Sequence, residues 1–317
     1  MKRIVLFLAF ILLLFSSVVS PLKAAEGKAP PEIAFGTLPV LQALPLFVGA
    51  EKGFFKEQGL SVNLVRFNSA MEKDVALSAG QIAGYFGDIM TPVVLKANKT
   101  PVKMVATIFN TPKNQRMFAI IASPKHLNKS IAELATEGIA VSSNTVMEYL
   151  VVKLLKEKSI PEDRLKMVEI KNIPIRLQML LSGQIAAAIL PEPLATLAEQ
   201  RGGKAVIDDA GAGLSTTILA FNELFLVDHP ASVKGFLAAV DKASQYTNSH
   251  HSEVRSIMNR ECRIPEPLQT AFPIPQFLKL TLPDNNQVMD VYRWLRGKKI
   301  IKTELRYNQM VADGYLP

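Results

Sequence analysis

The chain is poor in the residues and motifs that build disulfides, metal sites and nucleophilic sites. It has a single cysteine, Cys262, so no internal disulfide can form. The four histidines show no metal-ligand spacing. No G-x-S-x-G, H-E-x-x-H, C-x-x-C or P-loop pattern is present. The sequence therefore predicts no catalytic residues, no bound metal and no cofactor.

Long hydrophobic runs and clustered positive charge are also missing after residue 24. No later segment is long and apolar enough to cross a membrane. No run of Lys and Arg with interleaved aromatic residues occurs, which argues against a nucleic-acid partner. The net charge is +8, and it falls to +5 without residues 1–24, which hold three basic residues and no acid. This mild bias favours anionic solutes or membrane surfaces.

Residues 1–24 have the three-part pattern of a secretory signal peptide. Lys2 and Arg3 supply the positive start, and Ile4 to Val19 is an apolar run. The run is shorter than the about 20 apolar residues of a membrane span, so an uncleaved anchor is the weaker alternative. The only cysteine lies far from the cleavage site, which excludes a lipid anchor there. We therefore expect a periplasmic protein, cleaved near Ala24, that is not a lipoprotein.

The rest of the chain alternates between strand and helix patterns. The 49% hydrophobic and 20% charged residues of the full sequence are typical of a chain that buries a core. Such alternation predicts an α/β fold with mostly parallel sheets covered on both faces. After His229 the pattern is largely helical. The predicted strands are 32–36, 60–64, 102–108, 118–122, 139–142, 166–170, 185–190 and 215–221, and the main predicted helices are 43–53, 146–157, 174–182 and 194–200.

One short segment occurs twice. Residues 77–86 and residues 180–189 share the sequence Gly-Gln-Ile-Ala at the end of a helical pattern. Each copy ends a helix, turns at Gly80 or Gly183, and enters a short apolar strand. The repeat predicts two similar α/β lobes. Two lobes enclose a cleft, and clefts are where small ligands bind.

Several segments resemble one family of binding proteins. Residues 53–62, Gly-Phe-Phe-Lys-Glu-Gln-Gly-Leu-Ser-Val, resemble a signature of solute-binding proteins of the nitrate/sulfonate/taurine ABC-transporter class. Residues 77–82 resemble its Leu-x-x-Gly-Gln-hydrophobic segment, and Pro191-Glu192-Pro193 resembles its Glu-Pro turn. Residues 291–316 resemble its closing pattern. The family often has Asp after the Gly-Gln-hydrophobic segment, whereas this chain has Ala83 and Ala186.

The resemblance implies the type II periplasmic-binding-protein fold. In this fold two Rossmann-like lobes are joined by two crossover strands, with a ligand cleft between them. We place lobe 1 at residues 30–121 plus 222–317 and lobe 2 at residues 122–221.

The same resemblance implies a monomeric extracytoplasmic receptor of an ABC importer. Its lobes would close on a small organic nitrogen- or sulfur-containing solute of sulfonate, taurine, nitrate or heteroaromatic type and deliver it to a membrane permease. An enzyme on the same fold, similar to thiamine-pyrimidine synthases or menaquinone-pathway enzymes, is the alternative. A sensor or partner-binding protein is a third interpretation.

Polar loops mark the predicted ligand site. In open α/β sheets the ligand lies beyond the carboxyl ends of strands, against helix N-termini. Hydroxyls, amides and free N–H groups there suit an oxyanion, although plain helix capping is the alternative. The alternatives for Arg116 are an anion partner and a solvated charge. The predicted ligand-binding residues are Thr37, Gln42, Asn68, Ser69, Met71, Asp88, Asn110, Arg116, Ser143, Asn144, Thr145 and Glu192, the last as an acceptor for the ligand or a helix cap.

Overall fold

Strands and helices alternate along residues 32–214 and 216–317, which are the residues described in the computed structural model. The predicted signal peptide, residues 1–24, lies outside them. The strands are β1 (Ile33–Thr37), β2 (Val62–Arg66), β3 (Gly84–Asp88), β4 (Val102–Phe109), β5 (Phe118–Ala122), β6 (Ile139–Val141), β7 (Met167–Glu169), β8 (Ala187–Pro191), β9 (Lys204–Asp208) and β10 (Thr217–Asn222). The α-helices are α1 (Leu44–Glu51), α2 (Phe54–Glu57), α3 (Ala70–Ser78), α4 (Met90–Ala97), α5 (Ile131–Glu137), α6 (Val146–Glu157), α7 (Ile173–Ser182), α8 (Leu194–Gln200), α9 (Glu223–Asp228), α10 (Pro230–Ser249), α11 (His251–Glu261), α12 (Asn285–Gly297) and α13 (Tyr307–Met310).

The strands form two five-stranded sheets with the same plan. The first sheet has the order β2-β1-β3-β10-β4, and the second has the order β7-β6-β8-β5-β9. In each sheet one strand, β10 or β5, is antiparallel to both of its neighbours, and the other four share one direction. The prediction of two α/β lobes with mostly parallel sheets is confirmed.

The central strands come from unbroken apolar runs. β5 is buried along its whole length, and β8 is buried except at its last residue. Such burial is expected of strands covered by helices on both faces. β2 is only partly buried because it lies at the edge of the first sheet.

Caps and glycines set the ends of the two repeated helices. Ser69 Oγ accepts a hydrogen bond from the Glu72 amide at the start of α3, as its capping-box spacing predicts. Asn172 Oδ1 accepts one from the Ile175 amide at the start of α7. After each helix comes a glycine in the left-handed region, with φ of +70° at Gly80 and +73° at Gly183. Glycine is favoured there because it has no Cβ.

The predicted limits of the lobes need one correction. Limits at residues 121 and 221 put β5 in lobe 1 and β10 in lobe 2. Strand pairing instead puts β5 in the second sheet and β10 in the first. Each crossing strand belongs to the sheet that it enters, because its hydrogen-bond partners lie there. β9 was not predicted at all, whereas strand 118–122 and helices 146–157 and 194–200 have the predicted bounds.

Candidate functional site

The two sheets are joined through their carboxyl edges. β4 leaves the first sheet at this edge and leads to β5, and β9 leaves the second sheet at this edge and leads to β10. Because β5 and β10 are antiparallel to their neighbours, each also begins at the carboxyl edge of its new sheet. Two short connections therefore hold the carboxyl edges close together. Ligands bind at this edge in open α/β sheets, so the space between the two edges is the candidate site.

Asp209 ties the two connections to each other. This fully buried carboxylate accepts hydrogen bonds from the amides of Met117 and Phe118, both at 2.8 Å, and from Thr111 Oγ1 at 3.1 Å. The predicted site residue Asn110 also links the two connections, because its side-chain oxygen accepts a hydrogen bond from Thr216 Oγ1 at 3.1 Å. The sequence did not single out Asp209. Its role depends on two connections that lie far apart along the chain.

Four predicted residues follow β1 and β2. Thr37 is buried at the end of β1, and Gln42 is buried in the 3₁₀ turn Leu41–Ala43. Asn68 donates its amide to the Glu72 carboxylate at 3.2 Å, while Ser69 caps the same helix. The structure thus brings these residues to one edge of the first sheet. The capping alternative is confirmed for Ser69.

Asp88 and Met71 lie at the same edge. Asp88 Oδ1 accepts a hydrogen bond from the Thr91 amide at 3.0 Å, at the start of α4. Met71 lies in the first turn of α3, and its side chain is 74% exposed. It is therefore free to contact a ligand, although it lies outside the core.

The loop after β6 is occupied by carboxylates of the chain itself. Ser143 donates both its amide, at 2.9 Å, and its hydroxyl to Glu169. Asn144 donates its amide to Glu148, and Thr145 caps α6 by accepting the Met147 amide at 3.2 Å. Burial alone would raise the pKa of Glu169, but the hydrogen bonds from Ser143 and the charges of Lys171 and Arg176 together outweigh burial and lower it. The donors predicted for a ligand oxyanion at Ser143 and Asn144 are thus already engaged.

Arg116 is engaged inside the protein as well. Its Nε donates to Glu192 Oε1 at 2.7 Å, and its Nη2 donates to Glu199. Burial alone would lower the pKa of Arg116, but these two bonds outweigh it and raise the pKa. The other oxygen of Glu192 accepts the Thr196 amide at 3.0 Å in the first turn of α8, which confirms its capping alternative. The ion pair differs from a solvated surface charge, and the role of Arg116 as a ligand partner stays a prediction.

A buried lysine that the sequence analysis missed lies at the edge of the first sheet. Lys73 of α3 is fully buried, with its ammonium 2.9 Å from Asp74 Oδ1 and 3.5 Å from the centre of the Tyr85 ring. The ammonium also lies close to Gly87, near the end of β3. Burial lowers the pKa of Lys73. The Tyr85 hydroxyl, also buried, has no hydrogen-bond partner among the described residues.

A buried arginine lies at the edge of the second sheet. Arg176 of α7 donates to the carbonyl oxygens of Ile170, at 2.6 and 3.0 Å, and of Ile189, at 2.9 Å. It also donates to Ser142 Oγ and to Met147 Sδ, the latter at 3.1 Å. Burial lowers the pKa of this guanidinium to about 10. One side chain therefore connects the carboxyl ends of β6 and β7 with the middle of β8.

Lys73 and Arg176 occupy the same position in the two copies of the repeat. Each is the fourth residue after the cap of its helix, Ser69 or Asn172, and the two are 103 residues apart, like Gly80 and Gly183. This basic residue was visible in the sequence. The signal lies in the shared spacing from the cap to the basic residue, upstream of the Gly-Gln-Ile-Ala segment that marks the repeat.

Helix α6 of the second lobe packs against helix α12 of the first. The Tyr149 and Trp294 rings meet edge to face with their centres 5.6 Å apart. Asp290 accepts a hydrogen bond from the Tyr149 hydroxyl at 2.6 Å and pairs with Lys153 at 2.5 Å. Lys298, just after α12, pairs with Glu148 at 3.0 Å and with Glu162. These contacts bridge the lobes beside the candidate site.

Other features bear less on this site. Cavities of about 350 and 330 Å³ lie beside the first connection, and of the predicted site residues only Asn110 lines either of them. Cys262 is buried, which raises the pKa of its thiol. Within the described ranges no group of three or more His, Cys, Asp or Glu side chains could hold a metal ion. Nor does any helix in that part of the chain have the length and apolar character of a membrane span.

Comparison with known proteins points to one family and one fold. The family model described as NMT1/THI5 like matches residues 41–254. No curated protein matches the chain in sequence. The structure is similar to the periplasmic aliphatic sulphonate binding protein SsuA from Escherichia coli, with a TM-score of 0.77 and 13% identity, over 90% of this chain and 92% of that one.

Two further solved structures extend the comparison. The alkanesulfonate-binding protein SsuA from Xanthomonas axonopodis pv. citri, bound to MOPS, gives a TM-score of 0.76 and 13% identity over 90% of this chain and 99% of that one. The periplasmic nitrate-binding protein NrtA from Synechocystis PCC 6803 gives a TM-score of 0.64 and 14% identity over 81% of this chain and 74% of that one. At such identities the likeness shows the fold, which is the two-lobed fold of periplasmic binding proteins.

Proposed function

This chain belongs to the NMT1/THI5-like family, and from that premise we propose that it is the extracytoplasmic solute-binding receptor of an ABC importer. It would bind a small organic solute between its lobes, close on it, and present the closed form to a membrane permease. The proposal includes export to the periplasm with cleavage near Ala24, and action as a monomer.

The observation that carries the proposal is the joining of two matching sheets through their carboxyl edges. Both connections are short, and both run from one edge to the other. Such a hinge lets the edges approach each other, and closure is driven by ligand contacts that are better in the closed state than in the open one. The bridge between α6 and α12 supports a defined closed arrangement.

The solute class follows from the polar groups at the two edges. Buried cations lie under both edges, which favours an anionic group on the solute. Carboxylates of Glu72, Asp88 and Glu169 lie there too, and they disfavour a bare inorganic anion such as nitrate. We therefore propose an organic solute that carries an anionic group, of sulfonate or taurine type, or a heteroaromatic ring. The sulfonate-binding structural neighbours support this class.

A thermal-shift screen tests the proposal. Purified protein is heated with ethanesulfonate, taurine, nitrate and small nitrogen heterocycles, each at millimolar concentration. A solute with micromolar affinity stabilises the folded state by about 4 kcal/mol at a thousandfold excess over its Kd, which is a shift of several degrees. Mass spectrometry of solute that co-purifies with the protein is the complementary measurement. No shift with any solute, for protein shown to be folded, would contradict the proposal. Chemical conversion of a solute, lost on substitution of an edge residue, would favour the enzyme alternative.

A further inference from the structure

The two copies of the repeat differ in how their buried cation is balanced. In the first lobe the Lys73 ammonium has a carboxylate partner, Asp74, at 2.9 Å. In the second lobe Arg176 makes no ion pair with any residue in the ranges 32–214 and 216–317. The acid whose charge acts on Arg176 is Glu169, through space, while the Glu169 carboxylate is itself bound by Ser143. The internal repeat thus provides a balanced cation and an unbalanced one in equivalent places.

The unbalanced charge lies directly under the carboxyl edge of the second sheet. All the groups that Arg176 contacts are neutral, and they belong to the residues just after β6 and β7, to the middle of β8 or to the first turn of α6. A buried charge without a counter-charge is costly, because the dipoles around it replace hydration only in part. An anion bound at this edge would offset that cost, and in a site of low dielectric the attraction is stronger than in water.

Ser142 can carry this preference to the cleft. Its hydroxyl oxygen accepts a hydrogen bond from Arg176, so its own proton must point elsewhere. The partner of that proton, the carbonyl oxygen of Lys171, is 3.4 Å away, which is long for a bond between oxygens. The hydroxyl is therefore ready to donate to a ligand that comes closer. Ser142 lies one residue before the three loop residues predicted from sequence.

We propose that the anionic group of the solute binds at the carboxyl edge of the second sheet, where Arg176 selects its charge and positions the Ser142 hydroxyl as a donor. The first sheet, whose cation is balanced by Asp74, receives the rest of the solute. This inference rests on the proposed function and adds an orientation to it. Arg176 acts here as a positioning residue, since its own donors are all engaged.

The test measures local charge without needing the solute. A reporter cysteine is placed in the first turn of three helices, at exposed apolar residues: Ile175→Cys at the second sheet, Met71→Cys at the first, and Leu224→Cys on α9 as the matched control. Each reporter is alkylated with anionic iodoacetate and with neutral iodoacetamide. The ratio of the two rates reports the local potential. The first turns of α3 and α9 each hold an acid, Glu72 or Glu223, which lowers the ratio there, whereas the first turn of α7 holds none, so the comparison with Arg176 variants isolates the guanidinium. The buried Cys262 of the unmodified protein serves as the blank.

We expect the iodoacetate to iodoacetamide ratio at Ile175→Cys to be about fivefold above that at Leu224→Cys, because the nearby positive charge of Arg176 attracts the anionic reagent. The Met71→Cys ratio should stay close to the control. In the Ile175→Cys background, Arg176→Met should lower the ratio and Arg176→Lys should keep it. A ratio at Ile175→Cys no higher than at the other two sites would overturn the inference, even if Arg176→Met failed to fold.

The role of Ser142 has its own readout. For ethanesulfonate, Ser142→Ala should weaken binding about tenfold, the loss expected for one hydrogen bond to a charged group, and Ser142→Thr should restore it. Binding unchanged in Ser142→Ala would overturn the positioning role. An excess ratio at Ile175→Cys, together with no binding of any solute in the thermal-shift screen, would instead support the charge assignment and reject the proposed function.

Discussion

Replacing Asp209 with alanine should destabilise the protein by about 4 kcal/mol. The carboxylate accepts the amides of Met117 and Phe118 in a fully buried place, so the variant leaves two N–H groups without an acceptor. Each buried, unsatisfied donor costs about 1–3 kcal/mol, and the Thr111 hydroxyl loses an acceptor as well. The total is a large share of the roughly 5–15 kcal/mol by which a folded protein is stable.

Urea unfolding, followed by the fluorescence of the single tryptophan, Trp294, measures this change. Asp209→Asn is the matched control, because its amide oxygen can still accept both backbone N–H groups and its amide nitrogen can donate to Thr111. We expect this variant to lose no more than about 2 kcal/mol. A loss below about 1 kcal/mol in Asp209→Ala would refute the reasoning. Equal losses in the two variants would show that charge, not hydrogen bonding, is what matters at the hinge.

Three other predictions follow from ion pairs and buried charges. Lys298→Met should open the lobes, because the ion pair between Lys298 and Glu148 is lost. Small-angle X-ray scattering should then show a larger radius of gyration. Substitution of the exposed neighbouring residue, Lys299→Met, should leave the radius of gyration unchanged. In urea unfolding, Glu192→Ala should lower the free energy of unfolding by about 3 kcal/mol and Glu199→Ala by about 1 kcal/mol. The reason is that the Glu192 carboxylate is the more buried partner of Arg116 and also caps α8. Equal losses in the two variants would contradict this prediction. Burial lowers the pKa of Lys73 below 10.5, so the unfolded state binds more protons than the folded state just below that pH. The wild type should therefore gain stability relative to Lys73→Met as the pH rises towards 10.5. A difference in unfolding free energy between the two proteins that does not change with pH would contradict this prediction.

Much of the fold was predictable because it follows from local patterns. The repeated Gly-Gln-Ile-Ala segment indicated two similar lobes, and the helix caps Ser69 and Thr145 were visible as residue types that favour caps. Helix 146–157 and strand 118–122 have their predicted bounds, since long periodic helices and short apolar strands carry the strongest signals. β9 was missed because a strand of five residues between charged ends gives little signal.

The candidate site was predictable only as a set of loops. Ser143 and Arg116 lie at the edges where they were expected, yet their donors are engaged by Glu169, Glu192 and Glu199. Those pairings depend on which strand lies beside which. No local pattern shows this, because the partners are 26 to 83 residues apart along the chain.

The order of strands and helices, the two lobes and the turns at Gly80 and Gly183 were determined by the sequence itself, because periodicity and backbone preference act over a few residues. The tertiary structure alone decided that Lys73 and Arg176 are buried, that among the described residues only the first has a carboxylate partner, and that Asp209 joins the two connections. Burial and charge pairing depend on which residues the fold brings together in three dimensions, not on their order along the chain. A basic residue on a helix is solvated or costly according to what the fold places around it.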